Sequence, residues 1–350
     1  MLGAVGRARV SLVAIAMVAA FAVGALVVRP EPAPATTSGH VTVAFVGDIA
    51  LLGPVPGSLL AGVRGPLRRA NLAIGNLEGT LGSGGTSKCG KNKPNCFAFQ
   101  SSPRSAALLR GAGFDDLNIA NNHAFDYGAS GQRQTLGALA RNRLHSSGRP
   151  GQITVVRVRG VRVAVLGFAP YPWAQSLLDV PTAQTLVRRA AARADIVVAV
   201  LHAGAEGVAH QHVPYGTEYY LGENRGNERL FAHALVAAGA NLVVASGPHV
   251  LRGLQFFHNT LIAYSVGNFA TAGHALSTEG ILGQGAILVV TLRTDGKLLS
   301  GRLLPVQLVD GRPRRIYGKS GVVRRVNALS RADFGRSAML VSGKDTLRVR

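Results

Sequence analysis

Five short polar clusters stand directly after apolar runs and hold the side chains that could do chemistry. They are Asp48; Asn76-Leu77-Glu78; Asn121-Asn122-His123; His202-Ala203-Gly204-Ala205-Glu206; and Ser246-Gly247-Pro248-His249. Carboxylate, amide and imidazole donors of this kind suit hard to borderline divalent cations. One cluster alone has a plainer explanation, because Asp, Asn and Ser after a strand are ordinary turn formers and caps. Five in chain order, each with Asp, Glu, Asn or His, go beyond turn chemistry. The sequence has no glycine-rich phosphate loop of the Walker type and no serine nucleophile elbow.

The elements that must position these clusters alternate between strand and helix. Apolar runs at 41–46, 72–74, 117–120, 161–166, 196–201, 242–245 and 261–266 are short and bounded by Gly or polar residues. That is the pattern of strands buried on both faces. Helical patterns fill 105–110, 130–142, 183–194 and 228–238. The alternation predicts an α/β layered fold with each cluster at the carboxyl end of a strand, where ligands gather in open α/β sheets. Residues 286–293 and 297–306, joined by Thr294-Asp295-Gly296, read as a closing β-hairpin.

At this level the chain resembles the CapA (PgsA-type) capsule-synthesis proteins, whose domain is similar to the calcineurin-like metallophosphoesterase fold. The resemblance rests on Phe45-Val46-Gly47-Asp48, Asn76-Leu77-Glu78-Gly79, the 120–128 segment ANNHAFDYG, His202-x-Gly204-x-Glu206, Pro248-His249-Val250 and the 264–269 segment YSVGNF. It implies a metallophosphoesterase-like β-sandwich flanked by helices. It also implies that Asp48, Glu78, Asn122, His202 and His249 hold a divalent metal ion, with Glu78 bridging where two ions bind. His123 would protonate a leaving oxygen, Asp126 would hold the His123 ring, and Glu206 would stand beside the site; Asn268 would line it or cap a turn. Two departures point to one ion rather than two: Gly247 stands where the family commonly has His, and Asp48 is followed by Ile49-Ala50 rather than x-His. His210-Gln211-His212 reads as a solvated surface pair, and His233 as a core or helix-surface histidine. The partners implied are an acidic polymer such as poly-γ-glutamate, the membrane and a membrane-bound synthesis complex; the alternative is a metal-dependent hydrolase of phosphoesters or polymer amide bonds.

Composition and the N-terminus bear on the compartment. The 350 residues contain 38 Lys+Arg against 17 Asp+Glu, a formal charge of +21, which suits a polyanionic partner. Residues 293–350 hold fourteen basic side chains against four Asp. From about 310 the chain reads as a basic, partly ordered tail that meets the polymer. Arg7 and Arg9 precede nineteen uncharged residues at 10–28, a helix of about 28 Å and so long enough to span a bilayer. An uncleaved anchor with the main domain outside is expected; the alternative is a secreted chain cleaved after Ala33-Pro34-Ala35. Residues 29–39 form a Pro-rich spacer, and the folded domain is expected over 40–309. Cys89 and Cys96 close a short loop in an otherwise cysteine-free chain, so a disulfide is expected in an oxidising compartment. Export and an aromatic content of 6% disfavour nucleic acid as the partner.

Overall fold

The computed structural model describes residues 1–3 and 39–349, apart from 91, 92, 94, 95 and 319. The anchor expected at 10–28, and the spacer up to 38, lie outside the described residues. Among those described, no helix is long and apolar enough to cross a membrane.

The apolar runs become strands because both of their faces are covered. In spatial order, one sheet comprises Arg312–Arg315, Leu298–Val309, Gln284–Arg293, His40–Leu51, Leu72–Leu77, Asp116–Asn118 and His145–Ser147. Asn268–Ala272 also pairs with the end of His40–Leu51. The second sheet comprises Leu254–Phe257, Thr260–Ala263, Leu242–Ser246, Ile196–His202, Val161–Phe168 and Thr154–Val158.

Side chains alternate across each strand. Val41, Val43 and Phe45 meet Val163, Val165, Val198 and Val244 in a core between the sheets. Their neighbours Ala44 and Val46 pack instead with Leu67 and Leu109, from the helices Arg64–Arg69 and Ser105–Ala112. Across the molecule, Leu166 and Val197 pack with Leu186 and Phe231 from the helices Val180–Ala191 and Glu228–Ala237. The result is a β-sandwich with helices on both outer faces, matching the α/β layering expected. The predicted hairpin forms in register, Ile287 opposite Leu304.

Two expectations need correcting. The strand expected over 261–266 ends at Ala263 in the second sheet; the chain then crosses, and Asn268–Ala272 pairs in the first. The segment from 310 onward is not a tail. Its helix Gly321–Phe334 buries Val322, Val326, Leu329 and Phe334, and Ser320 caps it by accepting from the Val323 amide. Val322, Val326 and Leu329 recur at helical spacing and make one apolar stripe, while the charges that dominate the composition lie on the other faces. Leu329→Ala should cost about 2–4 kcal/mol in urea unfolding; a solvated tail would leave the midpoint unchanged.

Candidate metal centre

The sandwich brings four of the five clusters to one rim by register. Asp48 lies opposite Asn76 on one neighbouring strand and opposite Asn268 on the other. Asn76 is in turn level with Asn118. On the second sheet His202 is paired with Ser246. The chain before Asp48 passes so close to the crossover that a Cβ on Gly47 would sit 1.9 Å from the Gly267 carbonyl oxygen, so only glycine fits there.

The ligand-type atoms converge without bonding one another fully. Asp48 Oδ2 lies 3.1 Å from His249 Nδ1, and Asp48 Oδ1 lies 3.7 Å from His202 Nδ1. Glu78 Oε1 is 3.7 Å from His249 Nε2 and 3.8 Å from His202 Nε2. Glu206 Oε2 stands 3.6 Å from His249 Nε2 on its outer side. One ligand atom each from Asp48, Glu78 and His249 fall within 4.8 Å of one another.

Amide orientations decide where the imidazole protons are. Asn118 Oδ1 accepts from the Ala120 amide and Asn121 Oδ1 from the His123 amide, so both side-chain NH2 groups turn to Asn76 Oδ1. Asn76 therefore donates to Asp48 Oδ1 at 2.8 Å and to His202 Nδ1 at 3.2 Å. His202 then carries its proton on Nε2 when neutral. Asn268 donates to the Leu282 carbonyl, so its Oδ1 accepts from His249 Nδ1 at 2.9 Å. The lone pair of a neutral His249 is consequently on Nε2, facing Glu78.

Electrostatics follow from this packing. Burial alone would raise the Asp48 carboxyl, but the imidazoles of His202 and His249 hold it well below the usual carboxylate range. Burial, with Asp48, Glu206 and Asp126 nearby, pushes Glu78 well above its ordinary value despite His249. His249 is pushed up to about 10: burial lowers it, and Glu78, Asp48 and Glu206 more than offset that. His202 goes down, chiefly by burial.

The residues fit a divalent cation. Both Glu78 oxygens and Asn122 Oδ1 are buried without a hydrogen-bond partner. Unsatisfied buried acceptors cost about 1–3 kcal/mol each, and a cation is the partner that acceptor-only atoms can share. Asp48, Glu78 and His249 would hold it.

His123 sits in a separate constellation. Its Nδ1 lies 2.7 Å from Asp126 Oδ2, which also accepts from the Phe99 amide, and Lys88 Nζ reaches the other Asp126 oxygen at 2.6 Å. The Phe99 ring stacks on His123 at 4.1 Å. Burial lowers the His123 imidazole, outweighing Asp126. The Cys89–Cys96 disulfide is present and closes the loop between Lys88 and Phe99. His123, Glu206, His249, Asn268, Phe99 and Tyr220 line a cleft of about 510 Å³.

Other sequence candidates lie elsewhere. His212 pairs with Asp333 at 2.7 Å. His233 bonds Gln255 at 2.8 Å and stacks on Phe257. Asn76, Asn118 and Asn121 fix the network: Asn76 and Asn121 belong to the polar clusters, whereas the signal for Asn118 is only an asparagine at a strand end. Arg225, which pairs with Glu206 at 2.8 Å beneath the Tyr171 and Tyr220 rings, had no sequence signal.

The profile of the bacterial capsule synthesis protein family PGA_cap matches residues 42–272, more than half of the chain. The chain belongs to this family. It is 31% identical over 188 residues to the PGA biosynthesis protein CapA of Bacillus subtilis, covering 49% of this chain and 46% of that protein. It is 28% identical over 262 residues to the capsule biosynthesis protein CapA of Bacillus anthracis, covering 69% and 59%. The chain thus spans about half the length of these relatives. A putative 5'-nucleotidase structure from Staphylococcus aureus, solved with alpha-ketoglutarate, aligns at 15% identity and a TM-score of 0.42, over 81% of this chain and 55% of that one.

The two departures of this PGA_cap chain have local causes. Gly247 has φ +117°, and a Cβ there would lie 3.0 Å from the Ala203 carbonyl oxygen, so a histidine cannot enter without moving backbone. Its amide donates instead to Asp48 Oδ2. Ala50 is wholly buried.

Proposed function

We propose that this PGA_cap chain is an exported, membrane-anchored accessory to the synthesis or export of an acidic capsule-type polymer such as poly-γ-glutamate. The family match across 42–272 is the observation that supports it. Residues 10–28 serve as the anchor, 29–39 as the spacer, and partners in a membrane-bound synthesis complex meet the exported domain. The centre holds one divalent ion on Asp48, Glu78 and His249. Asn122 lends an oxygen, and His202 stays protonated on Nε2 through the Asn76 network. Such an ion supplies positive charge that polarises a bound oxygen.

The His123–Asp126 arrangement favours a second reading, hydrolysis of a phosphoester or polymer amide bond. Asp126 holds the Nδ1 proton of His123, so the doubly protonated ring would hand its Nε2 proton to a leaving oxygen in the cleft and return to the neutral form with its remaining proton on Nδ1. One experiment separates the two. The gene is deleted in its host and complemented with wild type, Glu78→Gln or His123→Asn. The accessory reading expects surface acidic polymer to vanish on deletion and to return with wild type and His123→Asn but not with Glu78→Gln. Polymer unaffected by the deletion contradicts it, and turnover of a generic phosphodiester that His123→Asn abolishes establishes the hydrolase.

A further inference from the structure

The C-terminal helix Gly321–Phe334 is flanked by two hollows that meet at Arg324. One, of about 520 Å³, is lined by His212, Arg324, Arg325, Ala328 and Leu329. The other, of about 700 Å³, is lined by Arg302, Tyr317, Val323, Arg324, Val341 and Lys344. Their cations are poorly neutralised. Among the described residues Arg324 and Lys344 have no carboxylate within ion-pair distance. Arg302 and Arg315 share Asp345, at 3.8 and 3.7 Å. Arg325 is held by two neutral amide oxygens, those of Gln211 at 2.7 Å and Gln284 at 3.2 Å, and among the described residues has no carboxylate within ion-pair distance.

An apolar floor beside poorly neutralised cations matches a chain that carries carboxylates on an aliphatic backbone, as poly-γ-glutamate does: backbone methylenes lie on Val323, Val341 or Leu329 while each pendant carboxylate meets a guanidinium or ammonium. A flat bilayer cannot enter concave hollows, and each hollow offers a single exposed ring on which a nucleic-acid base could stack, His212 in one and Tyr317 in the other, rather than a run of aromatics. The helix is about 21 Å long, room for about six residues of an extended α-linked chain and fewer of the longer γ-linked units.

We propose that the joined hollows along this helix bind an extended polycarboxylate chain, a reading that rests on the acidic-polymer role above and gives it a site distinct from the metal centre. The test uses the full-length chain in detergent and labelled poly-γ-glutamate, with anionic vesicles and a single-stranded oligonucleotide as comparison probes. Wild type should bind the polymer, and more weakly as salt rises from about 50 to 200 mM. Arg324→Glu with Lys344→Glu should weaken polymer binding at least tenfold with an unchanged melting temperature; Arg324→Lys with Lys344→Arg should retain it. Should the reversed pair fail to fold, Arg324→Gln alone should weaken binding about threefold. A folded reversal variant that binds polymer like wild type overturns the site but leaves the polymer role standing. Wild type that binds no polymer overturns the role and the site together. Loss confined to vesicles or oligonucleotide overturns the site by assigning the surface to that partner.

Discussion

Replacing Glu78 by Gln should invert the order of stability between chelator and metal. In chelator the variant should be the more stable, by about 1–3 kcal/mol at pH 8. The folded state raises the Glu78 carboxyl above its ordinary value, by burial and by the charges of Asp48, Glu206 and Asp126. A raised acid means that its charged form is destabilised on folding, so a neutral isostere removes that cost. In excess divalent metal the order should reverse. A ligand at a hundredfold its Kd stabilises wild type by about 2.7 kcal/mol, whereas Glu78→Gln offers at best a weak amide oxygen and should bind at least about a hundredfold more weakly. Thermal melts of both proteins under both conditions give the four values. A variant less stable than wild type in chelator would mean that Glu78 is held by favourable contacts in the metal-free protein and is not a ligand awaiting a cation.

The second large effect concerns pH. His249 titrates near 10 in the folded protein, above the ordinary histidine value of 6.5. A raised histidine contributes stability that is full below about 6.5 and is lost as pH climbs toward 10. The raised Glu78 acts in the same direction, stabilising below its ordinary value and losing that contribution at higher pH. Asp48 opposes them only in acid, where its lowered carboxyl contributes stability above 3.8 that is lost as pH falls further. In chelator, stability should therefore decline from pH 6.5 to 9. Metal binding must displace the His249 proton, so affinity rises over the same window, by up to tenfold per pH unit for one proton released. The gap between metal-loaded and metal-free melts should widen with pH, by up to about 1.4 kcal/mol per unit. His249→Asn should flatten the chelator slope. A gap that stays constant from pH 6.5 to 9 would remove His249 from the site.

The layered architecture was legible because strands buried on both faces leave unbroken apolar runs, and because the clusters at 48, 76–78, 121–123, 202–206 and 246–249 each follow such a run. The crossover at Asn268 was less legible. The apolar run 261–266 reads as a strand to its end, and only tertiary pairing shows that it leaves the second sheet after Ala263 and that Asn268–Ala272 joins the first. The C-terminal helix was missed for a different reason: charge density masked a stripe at Val322, Val326 and Leu329 that helical period alone would have shown. Within the centre, side-chain type suggested the candidate ligands. The asparagine relay through Asn76, Asn118 and Asn121, and the pairing of Arg225 with Glu206, depend on distances that no spacing along the chain encodes.

The most direct test counts metal. Wild type and Glu78→Gln are equilibrated with a divalent metal, desalted and analysed by elemental mass spectrometry at pH 8. One ion per wild-type chain and less than about a tenth of an ion per variant chain is the predicted result; a wild type that retains none, or a variant that retains as much, contradicts the account.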